Sequence, residues 1–287
     1  MKRITTILTF LSIMTSLCVQ TYAQTVGTTP PVIDGIYNKT TITEKKPVPY
    51  AWVRESDVAW SRRVWRVIDI REKMNQVFYF PEEPHQNWRN LTTVLFDALK
   101  EGKITAYDAM SPTDEFVVPL TYADIMKRLE GVDSLHLQRS KAPYDWYDTI
   151  VPKTFNPSEI KRFRIKEDWF FDRQRSVMEV RIIGICPVKD NLDKNGVFRA
   201  FEPLFWIYYP EARPILAKAE VFNYKNGAER LSFDDVFWKR LFASYIYKEE
   251  NVFDRKITDY AQGIDAMLES DRIKRELIDF EEQMWEY

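Results

Sequence analysis

The chain has 287 residues, with 41 Lys and Arg against 43 Asp and Glu, a formal charge of −2, and 15 % aromatic residues including nine Trp. This balance supplies no basic field for a general nucleic-acid binder. Gly is scarce, at eight residues, and neither GxGxxG nor GxxxxGK occurs, so no phosphate-cradling loop is expected.

Met1-Lys2-Arg3 is a short basic start, followed by an apolar run from Ile4 to Val19 and by Thr21-Tyr22-Ala23. This is the layout of a cleavable secretory signal peptide, residues 1–23. The run is short for a bilayer span of ~20 residues, so no direct membrane span is expected. Leu17 before Cys18 argues against a lipoprotein signal. Cleavage before Gln24 removes Lys2, Arg3 and Cys18, leaving 264 residues, a charge of −4 and one cysteine, Cys186. No intrachain disulfide can then form, and an exported protein of this size must be held by its core, by its partners, or by both.

Residues 24–49 are rich in Thr, Pro and Lys and read as an extended arm. An α-rich region is expected over 50–131. Its first helix starts at the Ser56 cap and runs directly into an aromatic strand, with Trp60, Val64, Val67 and Ile68 on one face and Arg62, Arg66 and Asp69 on another. Val77–Phe80 reads as a short strand. A second helix is expected from Trp88 to Glu101 with Gly102 as its cap. A third starts at Thr121, with Asp124 in the capping-box position, and ends at Gly131.

Residues 132–157, with Pro143, Pro152 and Pro157, read as a long connector and the candidate domain boundary. The region 158–287 is expected to begin as a meander. Phe163–Phe171, Val177–Val188 and Phe198–Tyr209 are its strands, with turns at Asp172–Ser176 and at the Asn195-Gly196 loop and a stop at Pro210. Helices follow. Ser232 and Asp235 form a capping box ahead of the stripe Phe237, Leu241, Tyr245. A stripe of Ile257, Tyr260, Ile264 and Leu268 precedes one of Ile273, Leu277, Phe280 and Met284, with i, i+4 pairs Asp271–Arg275 and Arg272–Glu276 on the wet face. The segments Gln76–Phe80 and Glu220–Tyr224 echo each other as a candidate duplicated strand–loop–helix unit. The fold class is α+β, an antiparallel β-meander flanked by N- and C-terminal helical regions.

No constellation reads as catalytic. His85 and His136 stand apart, without the three or four convergent ligands that zinc requires, so no metal and no cofactor are expected. Cys186 reads as a buried, inert thiol. The pairs Glu82-Glu83, Glu249-Glu250 and Glu281-Glu282 are adjacent in sequence and point apart, which does not make an acid/base pair. Trp65, Arg62, Arg63 and Arg66 share one segment and are of the residue types that anchor interfaces, and they are the candidate partner surface. Asp133-Ser134-Leu135 and Asp148-Thr149-Ile150 fit the Asp-Ser/Thr-apolar pattern of bacteroidete O-glycosylation, making Ser134 and Thr149 candidate acceptors.

The run from Asp57 to Asn75, DVAWSRRVWRVIDIREKMN, resembles the signature of the GldN/PorN family, components of the type IX secretion system of the Bacteroidetes. The segments Glu167–Asp172, Arg181–Pro187, Phe205–Pro210, Lys218–Asn223 and Ser244–Lys248 agree with it. The resemblance spans nearly the whole chain after the signal. It implies a non-enzymatic structural protein in the periplasm, at the inner face of the outer membrane. There it would assemble with a GldK/PorK-like outer-membrane lipoprotein, further copies of itself and other secretion components into a ring. A periplasmic carbohydrate- or peptidoglycan-binding protein or a glycosidase, using the aromatic residues as platforms, is the competing reading; a soluble cargo chaperone is a third.

Overall fold

The segment Asp57–Asp69, expected as a helix, is a strand in the computed structural model: β1, Val58–Asp69. The structure describes residues 41–284, apart from residues 86, 111–114, 130, 139–145, 154, 194–196, 224–225 and 227. The expected signal peptide and most of the arm therefore lie outside the described residues. Six of the twelve residues of β1 are Val, Ile or Trp, the branched and aromatic types that suit a pleated surface. Trp60, Arg62, Val64, Arg66 and Ile68 point to one face, and Ser61, Arg63, Trp65 and Val67 to the other. From Val64 to Asp69 every residue is buried, so both faces are covered and the two-residue alternation is erased.

β1 lies inside an eight-stranded sheet in which every recorded pairing is antiparallel. The other members are β2 (Ala106–Asp108), β3 (Pro119–Leu120), β6 (Ile160–Asp172), β7 (Val177–Leu192), β8 (Phe198–Pro203), β9 (Phe205–Tyr208) and β12 (Tyr245–Glu249). Their order is β12-β1-β6-β7-β9-β2-β3, with β8 also pairing with β7. The expected meander is β6, β7 and the pair β8/β9. Its third strand is split at Leu204, and Pro210 opens the first turn of a helix instead of merely ending a strand.

The helices are α1 (Leu91–Lys100), α2 (Tyr122–Leu129), α3 (Tyr209–Leu216), α4 (Phe233–Trp238) and α5 (Ile264–Gln283). The side chain of Asn90 caps α1 by accepting from the Thr93 N–H at 2.7 Å, so α1 starts three residues later than expected. Gly102 takes φ +67° just past its end. Ser232 and Asp235 close the expected capping box on α4, but the helix is only six residues long and Tyr245 belongs to β12.

One face of the sheet carries Ile68, Phe163, Ile165, Ile185, Phe205 and Ile207, which pack with α1, α3 and α4 in the main core. On the same face, nearer the β12 edge, Val64, Trp169 and Ile246 pack against Ile273 and Leu277 of α5. Trp60 stacks on Phe280 there, with ring centroids 4.5 Å apart. The other face buries Trp65, Cys186, Val188 and Trp206 beside Tyr107, Phe116 and Tyr247. A Cβ at Gly184 would come within 2.8 Å of the Phe116 ring and 3.1 Å of Trp206, so a larger residue there would have to displace the Phe116 ring.

Three further expectations need correction. Val77–Phe80 is not a strand: Lys73–Phe78 is a 3-10 turn whose Phe78 stacks on Phe233 and Phe237, and the Phe80–Pro81 peptide is cis. The echo with Glu220–Tyr224 therefore has no structural counterpart, since β10 (Glu220–Val221) pairs with β11 (Leu231–Ser232). The connector 132–157 contains a hairpin of β4 (Gly131–Gln138) and β5 (Trp146–Lys153), and Ser134 and Thr149 lie on its paired strands. In the stripe Ile257, Tyr260, Ile264, Leu268 only Ile257 is buried, because the chain turns at Gly263 before α5 begins.

Candidate interaction surface

The four residues expected to share a partner surface divide between the two faces of β1. Arg62, on the helix-covered face, pairs with Glu249 of β12, and its Nη1 lies 3.1 Å from Glu276 of α5, tying the sheet edge to the helix. Arg63, on the opposite face, makes a two-point contact with Asp168 of β6, Nε to Oδ1 at 2.5 Å and Nη2 to Oδ2 at 2.7 Å. The side chains of Arg62 and Arg63 keep 28 % and 37 % of their surface in water. Trp65 and Arg66 do not reach it: each residue is only 5 % exposed.

Arg66 belongs to a buried charge cluster. Glu167 of β6, fully buried, has Arg66 Nε at 3.3 Å and Arg240 Nη2 at 3.1 Å, and it accepts from the Trp169 indole N–H at 3.2 Å. Burial lowers the pKa of Arg66 from its ordinary value against the opposing pull of Glu167, and Arg240 lowers it further. Glu167 thus holds together β1, β6 and the turn after α4.

A second cluster anchors the chain ahead of β1. Asp234 of α4 accepts from the Tyr209 hydroxyl at 3.0 Å and from Arg213 Nε at 2.9 Å. Burial first, and then the negative charge of Asp234, push the Tyr209 phenol well above its ordinary value. The Arg213 guanidinium lies 4.3 Å from the Tyr50 ring and 5.0 Å from that of Trp238, and Arg181 donates to the Ala51 carbonyl at 2.5 Å. Lys45 pairs with Asp235. Residues 45–51 are thereby fastened to α3 and α4.

Asp69 closes β1. Burial raises its pKa, but hydrogen bonds from the Arg71 side chain and backbone and from Arg162 outweigh that and hold it at about 2.

The surface also has an apolar groove of 360 Å³ formed by Val77, Phe80, Pro81, Trp88 and Phe222, with Lys73, Gln76 and His85 at its margin. Trp88 meets Phe222 edge to face at 5.2 Å, and Phe80 and Phe222 are 44 % and 40 % exposed. Its wall suits an apolar side chain better than a sugar, which would need several hydroxyl partners. Sequence reasoning missed this groove because Phe222 meets residues 73–88 only in the fold.

Among the described residues no group of three His, Cys, Asp or Glu is placed to hold a metal ion. His85 forms an isolated bridge with Trp88, and His136 lies on β4. Cys186 is fully buried, as expected of an inert thiol. Glu249 is committed to Arg62. No described helix is long and apolar enough to cross a membrane.

Residues 53–286 match the family model described as "Gliding motility associated protein GldN". The match takes in every strand and helix described above. No curated protein matches the chain.

Proposed function

Because the chain belongs to the GldN family, and is thereby a component of the gliding-motility and type IX secretion machinery, we propose that it is a non-enzymatic structural subunit of that machine. It sits in the periplasm, delivered there by a cleavable signal peptide, and assembles with a GldK/PorK-like outer-membrane lipoprotein and with further copies of itself into a ring. The observation that carries this reading is the family match over 53–286, which spans the whole sheet and its helices. A ring follows physically when contacts are head-to-tail and their rotation closes.

Within the Trp65, Arg62, Arg63, Arg66 set, the partner contact is made by Arg62 and Arg63. Both are held in place by carboxylates and still reach water. Trp65 and Arg66 support them from inside the sheet. Affinity purification from outer-membrane extracts, followed by sizing and electron microscopy, tests the proposal. A large particle with a stoichiometric lipoprotein is expected; a monomer without one refutes it.

A further inference from the structure

The outer side of α5 carries a pattern that the family assignment does not use. Ile273 and Leu277 turn inward and are fully buried. Directly opposite them run Ile264, Asp271 and Ile278 at seven-residue spacing, and Leu268, Arg275 and Glu282 at the same spacing four residues on. This is the a/d spacing of a coiled coil, with Ile264, Leu268 and Ile278 apolar and Asp271, Arg275 and Glu282 charged. Ile264 is 75 % exposed, Leu268 56 % and Ile278 40 %, with Met267 beside them at 71 %. These are large apolar side chains, unusually bare for a surface helix. Asp271 and Arg275 are exposed too, and no ion pair between them forms within the helix, although Arg272 and Glu276 one position away do pair.

We propose that α5 is a docking surface for α5 of a second copy of this chain, packed antiparallel. In that arrangement the a and d positions face each other in layers. With the two-fold axis at residue 273, Leu268 meets Ile278 of the second copy, and Asp271 meets Arg275. The same two layers recur on the other side of the axis. The charges select the direction: a parallel pair would set Asp271 against Asp271 and Arg275 against Arg275, whereas the antiparallel pair turns both into opposite-charge contacts flanked by apolar layers. The seam from 264 to 282 is about 27 Å long at ~1.5 Å per residue, a small interface of the transient class. The contact is isologous, so it joins copies in twos and is distinct from the head-to-tail contact of a ring. It does not rest on the proposed function and holds for the purified protein alone.

Sedimentation velocity of the purified protein over roughly 1–300 µM, where so small an interface associates, tests it. A monomer–dimer equilibrium is expected. Asp271→Arg and Arg275→Asp should each raise the dissociation constant at least about tenfold, as expected for opposite charges replaced by like ones. The double variant carrying both changes should return to within about threefold of the parent, since the swap restores both contacts. Leu268→Asp should leave only monomer. These positions are exposed, and unchanged circular dichroism and melting would establish that each variant is folded. A parent that stays monomeric throughout overturns the proposal, as does a dimer that survives Leu268→Asp or a double variant no better than the singles.

Discussion

Replacing Glu167 by Gln removes one negative charge from the middle of the sheet while keeping the side chain's shape. The amide oxygen can still accept from the Trp169 indole, so that bond, 3.2 Å long, is retained. What changes is the environment of two cations. Arg66, 5 % exposed and 3.3 Å from the carboxylate, loses its only ion-pair partner among the described residues and keeps the neutral Ser244 hydroxyl at 3.2 Å. Removing one member of a buried pair costs about 3–5 kcal/mol. Arg240, with 32 % of its side chain exposed, can turn outward, and its share is that of a surface pair, about 0–1 kcal/mol. Arg66 therefore sets the scale, about 3–5 kcal/mol in total. For a folded body of this size that corresponds to a melting point lower by roughly 6–20 °C. Urea unfolding followed by circular dichroism gives the difference directly, with an unchanged slope showing that the unfolded state is the same. A loss below about 1 kcal/mol would refute the reasoning, because Arg66 would then have to be solvated or otherwise neutralised. Adding Arg66→Met to Glu167→Gln should recover most of the stability, since an apolar replacement of a buried pair is often neutral or better.

Trp65→Ala should destabilise the isolated protein by about 3–5 kcal/mol, the cost of emptying a buried aromatic site, read from the same urea curves. Arg63→Ala should cost at most about 1 kcal/mol of stability yet weaken recovery of the lipoprotein in pull-downs; unaltered recovery would remove Arg63 from the partner surface. Asp69 has its folded pKa depressed to about 2 from an ordinary value of 3.8. Its stabilisation is therefore complete above the unfolded value and lost as pH falls through about 2. Asp69→Asn should flatten the decline in stability between about pH 4 and pH 2 relative to the parent, and parallel acid-unfolding curves would contradict this. If Ser134 and Thr149 carry glycans, the intact mass of protein from its own cells exceeds that of the bare chain; a mass matching the bare chain excludes modification at both.

The meander was legible because β6 and β7 keep branched and aromatic residues between strong turn signals, and the capping boxes of α2 and α4 declared themselves in four residues each. β1 was misread for a specific reason. Trp60, Val64, Val67 and Ile68 fall at i, i+4, i+7 and i+8, a helical spacing, while the residues that complete its alternation on the same face are Arg62 and Arg66. Arginine scores as polar, yet here Glu249 and Glu167 satisfy it inside the structure. A strand stabilised by charge pairs from its neighbours hides its own period, since those neighbours lie about a hundred residues or more away. The partner residues were half legible: their types were conspicuous, but which of them reach the surface depends on strand alternation. Val77–Phe80 misled in the opposite sense, since an aromatic run suits a strand as well as a 3-10 turn packed on three phenylalanines.

The pairing of β1 with β12 also sets an order of events. Val67 lies opposite Tyr245, so the strand nearest the start of the folded body waits for one near its end. The ~180 residues between them must all emerge on the side of the membrane where the chain folds before the pair can close. Through that interval β1 presents Trp60, Val64, Trp65 and Ile68 with an open ladder along its edge, a ready template for another chain. Loop closure this long makes the sheet slow to complete however stable it is once formed. The newly made chain therefore depends on being held apart from its fellows until its last strand arrives, and a truncation before Tyr245 should aggregate even though most of the core-forming sequence is present.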